Sequence, residues 1–257
     1  MNGAEKLNII QFLLVYLLLI IVLVIMKKSK INQTKLLFVG SLRMTVQLVL
    51  AGFILTFIFK NPHPVFTIVY VTMMTAFAIF RVLSKNKSIN PNFKKSVALS
   101  ISLSGISVLI FFIIVVVNQN IFNPQYTIPL AGMIIGNSMT GVGLGLKSFN
   151  ESLKSNRIRI EALQNLGVTP KKILLPYVNS SLETALLPTL NSMVGMGIVS
   201  LPGMMTGQIL SGTLPTTAIM YQIAIMVAIC TSVCISVYCS LNFGYHTLYN
   251  DKYQIKL

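Results

Sequence analysis

Acidic side chains are almost missing from this chain: five Asp and Glu stand among 257 residues, beside two histidines and three cysteines. So sparse a set offers no oxygen-and-imidazole cage for tight binding of iron or another hard or borderline metal. It also supplies no His-x-x-x-His pair, Ser/His/Asp set or acidic cluster for an intramembrane hydrolase. The phosphate-cradling pattern Gly-x-x-x-x-Gly-Lys-Ser/Thr is missing too. Its nearest approach, Gly141-Val142-Gly143-Leu144-Gly145-Leu146-Lys147-Ser148, sets Leu146 between glycine and lysine and follows no strand, so the chain carries no ATPase site of its own and is not expected to be an enzyme. Cys230, Cys234 and Cys239 all fall within one apolar run, which argues against a disulfide framework and for small packing residues.

What the chain has in abundance is apolar residues, 54% of the total, gathered into seven runs: Ile9 to Met26, Leu36 to Phe59, Val65 to Phe80, Val97 to Val117, Thr127 to Leu146, Leu182 to Leu201 and Thr217 to Phe243. Each approaches the ~20 residues that a helix needs to cross ~30 Å of hydrocarbon. The expected fold is all-α: a polytopic, multi-pass membrane protein of about seven transmembrane helices, in one domain over 1–257. The first run is preceded by Glu5 and Lys6 without a basic n-region and followed by Lys27 and Lys28, flanks of a retained helix instead of a cleaved signal.

The 20 Lys and Arg give the orientation. Lys27, Lys28, Lys30 and Lys35 lie between runs one and two; Arg81, Lys85, Lys87, Lys94 and Lys95 between three and four; Lys147, Lys154, Arg157, Arg159, Lys171 and Lys172 between five and six; Lys252 and Lys256 in the tail. The opposite side has Lys6 and Lys60, and its gaps Asn118 to Tyr126 and Pro202 to Thr216 are free of charge. By the positive-inside rule the N-terminus lies outside and the C-terminus in the cytoplasm. A net charge of +15 raises the question of nucleic acid. The cations are divided among interhelical gaps instead of forming one stripe, so they report topology and contact with membrane lipid headgroups, and no nucleic-acid partner is expected.

One polar segment exceeds about 20 residues, Lys147 to Ser181 on the cytoplasmic side, and function is expected to concentrate there. Lys147 to Leu153 alternates polar and apolar residues at helical spacing. Within Arg157-Ile158-Arg159-Ile160-Glu161-Ala162-Leu163-Gln164-Asn165-Leu166-Gly167, the three-residue steps Ile160, Leu163, Leu166 predict a short amphipathic helix. Gly167 supplies its left-handed stop and Pro170 opens the next helix. Glu161-Ala162-Leu163, three residues and Gly167 resemble the "EAA" loop of ATP-binding-cassette permeases, the segment that docks into a cleft on the ATPase subunit. The Ile173-Leu174-Leu175-Pro176 continuation follows Gly167 after five residues instead of the family's nine.

Leu187-Pro188-Thr189-Leu190-Asn191-Ser192-Met193 and Gly197-Ile198-Val199-Ser200-Leu201-Pro202-Gly203-Met204-Met205-Thr206-Gly207-Gln208-Ile209-Leu210-Ser211-Gly212, with Tyr221-Gln222-Ile223, Arg43 to Gln47-Leu48 and Gly136-Asn137-Ser138-Met139, resemble the FetB/YbbM-type family of ABC permeases. The resemblance implies a permease subunit in the cell membrane that exports iron or another metal, with a plant branch linked to aluminium tolerance. It implies a homodimer working with two separately encoded ATPases, which bind the ATP and Mg; no cofactor is then expected on this chain. The coupling residues would be Arg157, Arg159, Glu161, Ala162, Leu163 and Gly167.

Proline and two glycines within Pro202 to Gly207 argue against a stable straight helix, while Met204, Met205 and Ile209 are too apolar for a solvated loop. Leu201 to Thr213 is therefore expected as a folded-back segment at the outer end of a translocation path. Arg43 and Gln47 share a face of the second run, and Glu183, the one acid within a run, is expected to pair with Arg43 as a gate or a clamp. Asn137, Asn191, Met193, Met204, Met205 and Gln208 complete the candidate path or gate; Met204 and Met205 are weak soft-metal ligands, and no firm metal site is expected. Gly132, Gly136, Gly141, Gly143 and Gly145 give the fifth run a small-residue face suited to close helix contact, including a dimer seam. Two other functions compete, an ion-coupled secondary transporter and an ABC permease for an organic solute. The first normally needs a mid-membrane ionisable group.

Overall fold

The computed structural model describes residues 8–86, 89–250 and 254–255, and among them the chain is helical without a named strand. Ten α-helices follow one another: α1 (Ile9–Leu14), α2 (Leu17–Lys28), α3 (Thr34–Lys60), α4 (Pro64–Lys85), α5 (Pro91–Phe111), α6 (Pro124–Ser155), α7 (Arg157–Asn165), α8 (Pro170–Gly195), α9 (Gly203–Leu210) and α10 (Pro215–Tyr245). A π turn, Phe112–Val117, extends α5, and Asn118 ends it in the left-handed region at φ 52°. Lys6, Lys87, Lys252 and Lys256 lie outside the described residues.

Proline opens α4, α5, α6, α8 and α10, where its missing N–H is one that helix geometry leaves unpaired anyway. The preceding side chain caps three of these starts: His63 Nδ1 accepts from the Val65 amide at 3.3 Å, Asn90 Oδ1 from Phe93 at 2.7 Å and Asn123 Oδ1 from Gln125 at 3.1 Å. Inside helices, Pro129 of α6 and Pro176 and Pro188 of α8 interrupt the hydrogen-bond ladder without ending the helix.

Among the described residues six helical segments are long and apolar enough to cross a membrane: Ile10–Lys28, Thr34–Lys60, Pro64–Lys85, Pro91–Val117, Pro124–Ser155 and Pro215–Leu248. They match six of the seven apolar runs, and the chain is a multi-pass membrane protein. The exception is Leu182 to Leu201. Its helix, α8, has 26 residues and so is long enough, but Asn179, Ser180, Ser181, Glu183 and Thr184 keep it below the apolarity of the others. The helix also stops at Gly195, and 196–200 fold into a tight turn closed by the Gly197 amide on Ser200 O at 3.0 Å.

Two further boundaries differ from the expected ones. The fifth apolar run ends at Leu146, but α6 runs unbroken on through the helically spaced residues 147–155, and its 32 residues, about 48 Å, overshoot the ~30 Å of hydrocarbon by more than two turns. Pro202 and Gly203 begin a helix instead of preventing one, because proline at the cap and glycine in the first turn cost little there, and the apolar side of α9 packs on α10. The breaks fall on either side, at the 196–200 turn and at Gly212, whose φ of +98° only glycine adopts freely.

The bundle is organised around α10. It runs antiparallel to α5, where Gly244 lets the Phe93 ring lie directly on its backbone, and parallel to α6, where Val233 fills the space opposite Gly141 and Val237 that opposite Gly145. Ala185 of α8 backs onto the same two glycines, and Met74 of α4 lies against Gly132. Four buried serines cross this core: Ser104 pairs with Ser236 through their hydroxyls, Ser236 donates to Ser232 O at 2.6 Å, and Ser232 pairs with Ser138 at 2.8 Å. The five glycines of α6 therefore do not form one face. At about 100° per residue, Gly132, Gly136 and Gly143 lie on one side and Gly141 and Gly145 on the opposite one; Gly136 and Gly143 have open space beside them.

Inter-helix contacts also sort the two ends. Asn90 Nδ2 donates to Thr247 O at 2.9 Å and the Phe93 and Phe149 rings meet at 6.2 Å, which gathers the ends of α5, α6 and α10 with Lys94, Lys95 and Lys147. At the other end Thr67 Oγ1 donates to Phe122 O at 3.0 Å, and the cation described on that side is Lys60, at the end of α3. The basic end is cytoplasmic by the positive-inside rule.

Candidate functional site

Helix α7 lies at the cytoplasmic end, between α6 and α8 in the chain, and touches both. Ile160 is fully buried and Leu163 packs against the core, so the rod is pinned by its apolar side. Leu166, the third member of the expected stripe, does not join them; it is 79% exposed, as Ile158 is at 84%. Arg157, Arg159, Glu161 and Ala162 are exposed, and Arg157 Nε donates to Glu161 Oε1 at 2.7 Å, one turn along. Gly167 has φ +79°, the left-handed stop, and Pro170 begins α8 three residues later. The result is a short rod with an ion-paired side, two exposed aliphatic knobs and a buried anchor connected to two long helices.

The expected Arg43–Glu183 pair is not formed within this chain. Among the described residues the ion pairs are Lys147–Glu151 and Arg157–Glu161. Arg43 instead holds its guanidinium 5.7 Å from the centre of the Phe77 ring on α4. Gln47, one turn on, is exposed with it. Glu183 is exposed on α8, two residues cytoplasmic of the Ala185 that backs onto α6. Asn191 and the 37%-exposed Met193 continue outward along that helix. Asn137 of α6 is exposed as well, its amide bonded to Met133 O at 2.7 Å.

The remaining candidates sit at the outer end and face different surroundings. Met205 is buried, and Met204 lies half-buried against the core. Gln208 is half-buried with its Oε1 meeting no donor among the described residues; the Oε1 of Gln222 is in the same condition, while its Nε2 approaches Met196 Sδ at 3.7 Å. Among the described residues no three His, Cys, Asp or Glu side chains gather as a metal-holding group. The serine seam of the core was not among the expected residues. Its signal was present, since Ser100 and Ser104, and Ser232, Ser236 and Ser240, recur at four-residue steps on single helix faces.

Residues 9–249 match the family described as "Uncharacterised protein family (UPF0014)". Among curated relatives, the UPF0014 membrane protein YjkA of Bacillus subtilis (strain 168) is 32% identical over 83% of this chain and 84% of its own. The "Probable iron export permease protein FetB" of Escherichia coli (strain K12) is 30% identical over 94% of this chain and 92% of its own. "Protein ALUMINUM SENSITIVE 3" of Arabidopsis thaliana is 36% identical over 72% of this chain and 66% of its own. No solved structure matches the chain.

Proposed function

We propose, because this chain belongs to the UPF0014 family, that it is the membrane-spanning permease subunit of an ABC transporter and that a separate ATPase drives it through α7. The observation that carries this reading is the construction of α7. A nine-residue helix anchored by Ile160 and exposing Arg157, Ile158, Arg159 and Ala162 is a lever between α6 and α8, and its surface has alternating ionic and aliphatic grip for a second protein. Motion applied to its exposed side passes to both long helices through the buried one.

The open sides of α6 and α8 support a homodimer. A carboxylate at Glu183 and amides at Asn137 and Asn191, exposed on helices of the bundle, are costly toward lipid and are covered when a second copy faces them across a shared path. The cargo class is taken from the relative named for iron export: a metal ion such as iron, passed along amide, carboxylate and thioether groups that hold it weakly. A path needs transient contacts of this kind more than a tight cage. The Met204 and Gln208 segment would form its outer exit.

The test is co-expression with a candidate ABC ATPase from the same genome, followed by affinity purification. Wild type is expected to retain the ATPase. The double variant Arg157→Glu, Arg159→Glu is expected to lose it at least about tenfold, since two reversed contacts of about 1 kcal/mol each suffice, while remaining folded. Equal retention by both would remove α7 as the docking element. Ferrous iron stimulating ATP turnover in reconstituted vesicles supports the metal cargo; no response to any metal discards it.

A further inference from the structure

At the cytoplasmic end a cavity of about 720 Å³ opens between α4 and α6. Three cations form its rim: Arg81 and Lys85, one turn apart on α4, and Lys147 on α6. Met139 and Leu144 form an apolar wall, and Thr140 lies deeper, seven residues or about 10 Å along α6 from Lys147. No carboxylate lines it. Arg81 is half-buried and its guanidinium makes no ion pair or hydrogen bond among the described residues. Lys147 has Glu151 at 3.8 Å, but both side chains are two-thirds exposed, and such pairs contribute little.

A half-buried guanidinium without an acceptor, beside two ammonium groups, loses hydration with nothing in return unless an anion sits between them. Lys28 and Lys30, by contrast, are exposed and do not line this cavity. We propose that this cavity binds a phosphate-bearing anion, with an anionic phospholipid of the cytoplasmic leaflet as its source. Arg81 offers the planar fork that matches two phosphate oxygens, and Lys85 and Lys147 supply point charges. The wall running inward past Leu144 to Met139 accommodates an acyl chain, which a free phosphate does not have. A headgroup held at this place ties the end of α4 to α6 just above α7.

The experiment uses the full chain, delipidated in detergent, and measures retention of phosphatidylglycerol, phosphatidylcholine and inorganic phosphate by native mass spectrometry. Phosphatidylglycerol is expected to be retained in preference to phosphatidylcholine, and Arg81→Gln with Lys85→Gln to weaken it roughly fivefold per cation removed. Lys28→Gln with Lys30→Gln, at the same membrane face but away from the cavity, is expected to change little. Should the Arg81 variant not fold, the exposed Lys147→Gln reports the same site with about a fivefold loss. Inorganic phosphate bound in place of lipid, and lost in the same variants, keeps the anion site and makes its source soluble. Equal retention of the two lipids without phosphate binding, or an equal loss in the Lys28 and Lys30 variant, overturns the site.

Discussion

The N-terminal helices α1 to α3 and the bundle α4 to α10 are both apolar enough for a membrane, yet they are held in opposite ways. The stretch Ile10–Lys28 is as apolar as any span and has no residue buried in the protein, and α3 buries Ile58 alone. Helix α6 is the least apolar of the six spans, and half of its most apolar stretch is buried. Apolarity therefore predicts which helices enter lipid and says nothing about which helices pack together. Lipid tails are as apolar as leucine, so association rests on close backbone approach and on hydrogen bonds. The bundle has both, in Gly141, Gly145, Gly244 and the serine seam; α3 has Gly40 and Gly52, each with open space beside it.

The sharpest way to break this contrast is to enlarge glycines on each side of it. Gly244→Leu and Gly141→Leu drive side chains into Phe93 and Val233 and are expected to destabilise the detergent-purified protein by about 3 kcal/mol or more, beyond the usual overpacking range because the obstructed atoms are themselves buried. Gly52→Leu on α3 is expected to change thermal unfolding by less than about 0.5 kcal/mol. Equal losses at Gly141 and Gly52 would mean that α3 is packed as tightly as α6. Next in size is the serine seam: Ser236→Ala removes the interhelical bond and leaves Ser104 only its bond to Ser100 O on its own helix, an expected loss of about 0.6 to 1.7 kcal/mol in the same assay. Smallest is Arg43→Ala. Its ring contact with Phe77 contributes about 0.5–1 kcal/mol at an exposed site, so melting should barely move. If transport in vesicles nevertheless stops, Arg43 belongs to the gate and not to a clamp; a protein that no longer accumulates would point to the clamp.

The apolar runs made six of the spans legible, because insertion depends on local composition. Helix α7 was legible for a related reason: Ile160 and Leu163, Gly167 and Pro170 are local signals for a face, a stop and a start. What failed depended on partners. Lys147 to Leu153 has helical spacing in one dimension, but its unbroken continuation of α6 rests on the core that buries Phe149 and Leu153. The five glycines looked like one face until their angles around α6 were counted. Glu183 and Arg43 are the one acid and one base within the runs, which suggested a pair; sharing a depth does not bring two helices together, and Arg43 meets Phe77 instead. Leu166 shares a helical stripe with Ile160, but the stripe extends beyond the core that would cover it.

The central claim is that α7 carries the force of a separate ATPase. It is tested most directly by disulfide cross-linking from Ala162→Cys on a background with Cys230, Cys234 and Cys239 replaced by serine, against cysteines placed in the co-expressed ATPase. The account predicts a cross-link to the ATPase whose yield changes between the nucleotide-free and ATP-bound states, and none from Val199→Cys at the opposite end. A protein that transports its cargo while Ala162→Cys cross-links to no ATPase in any nucleotide state would contradict it.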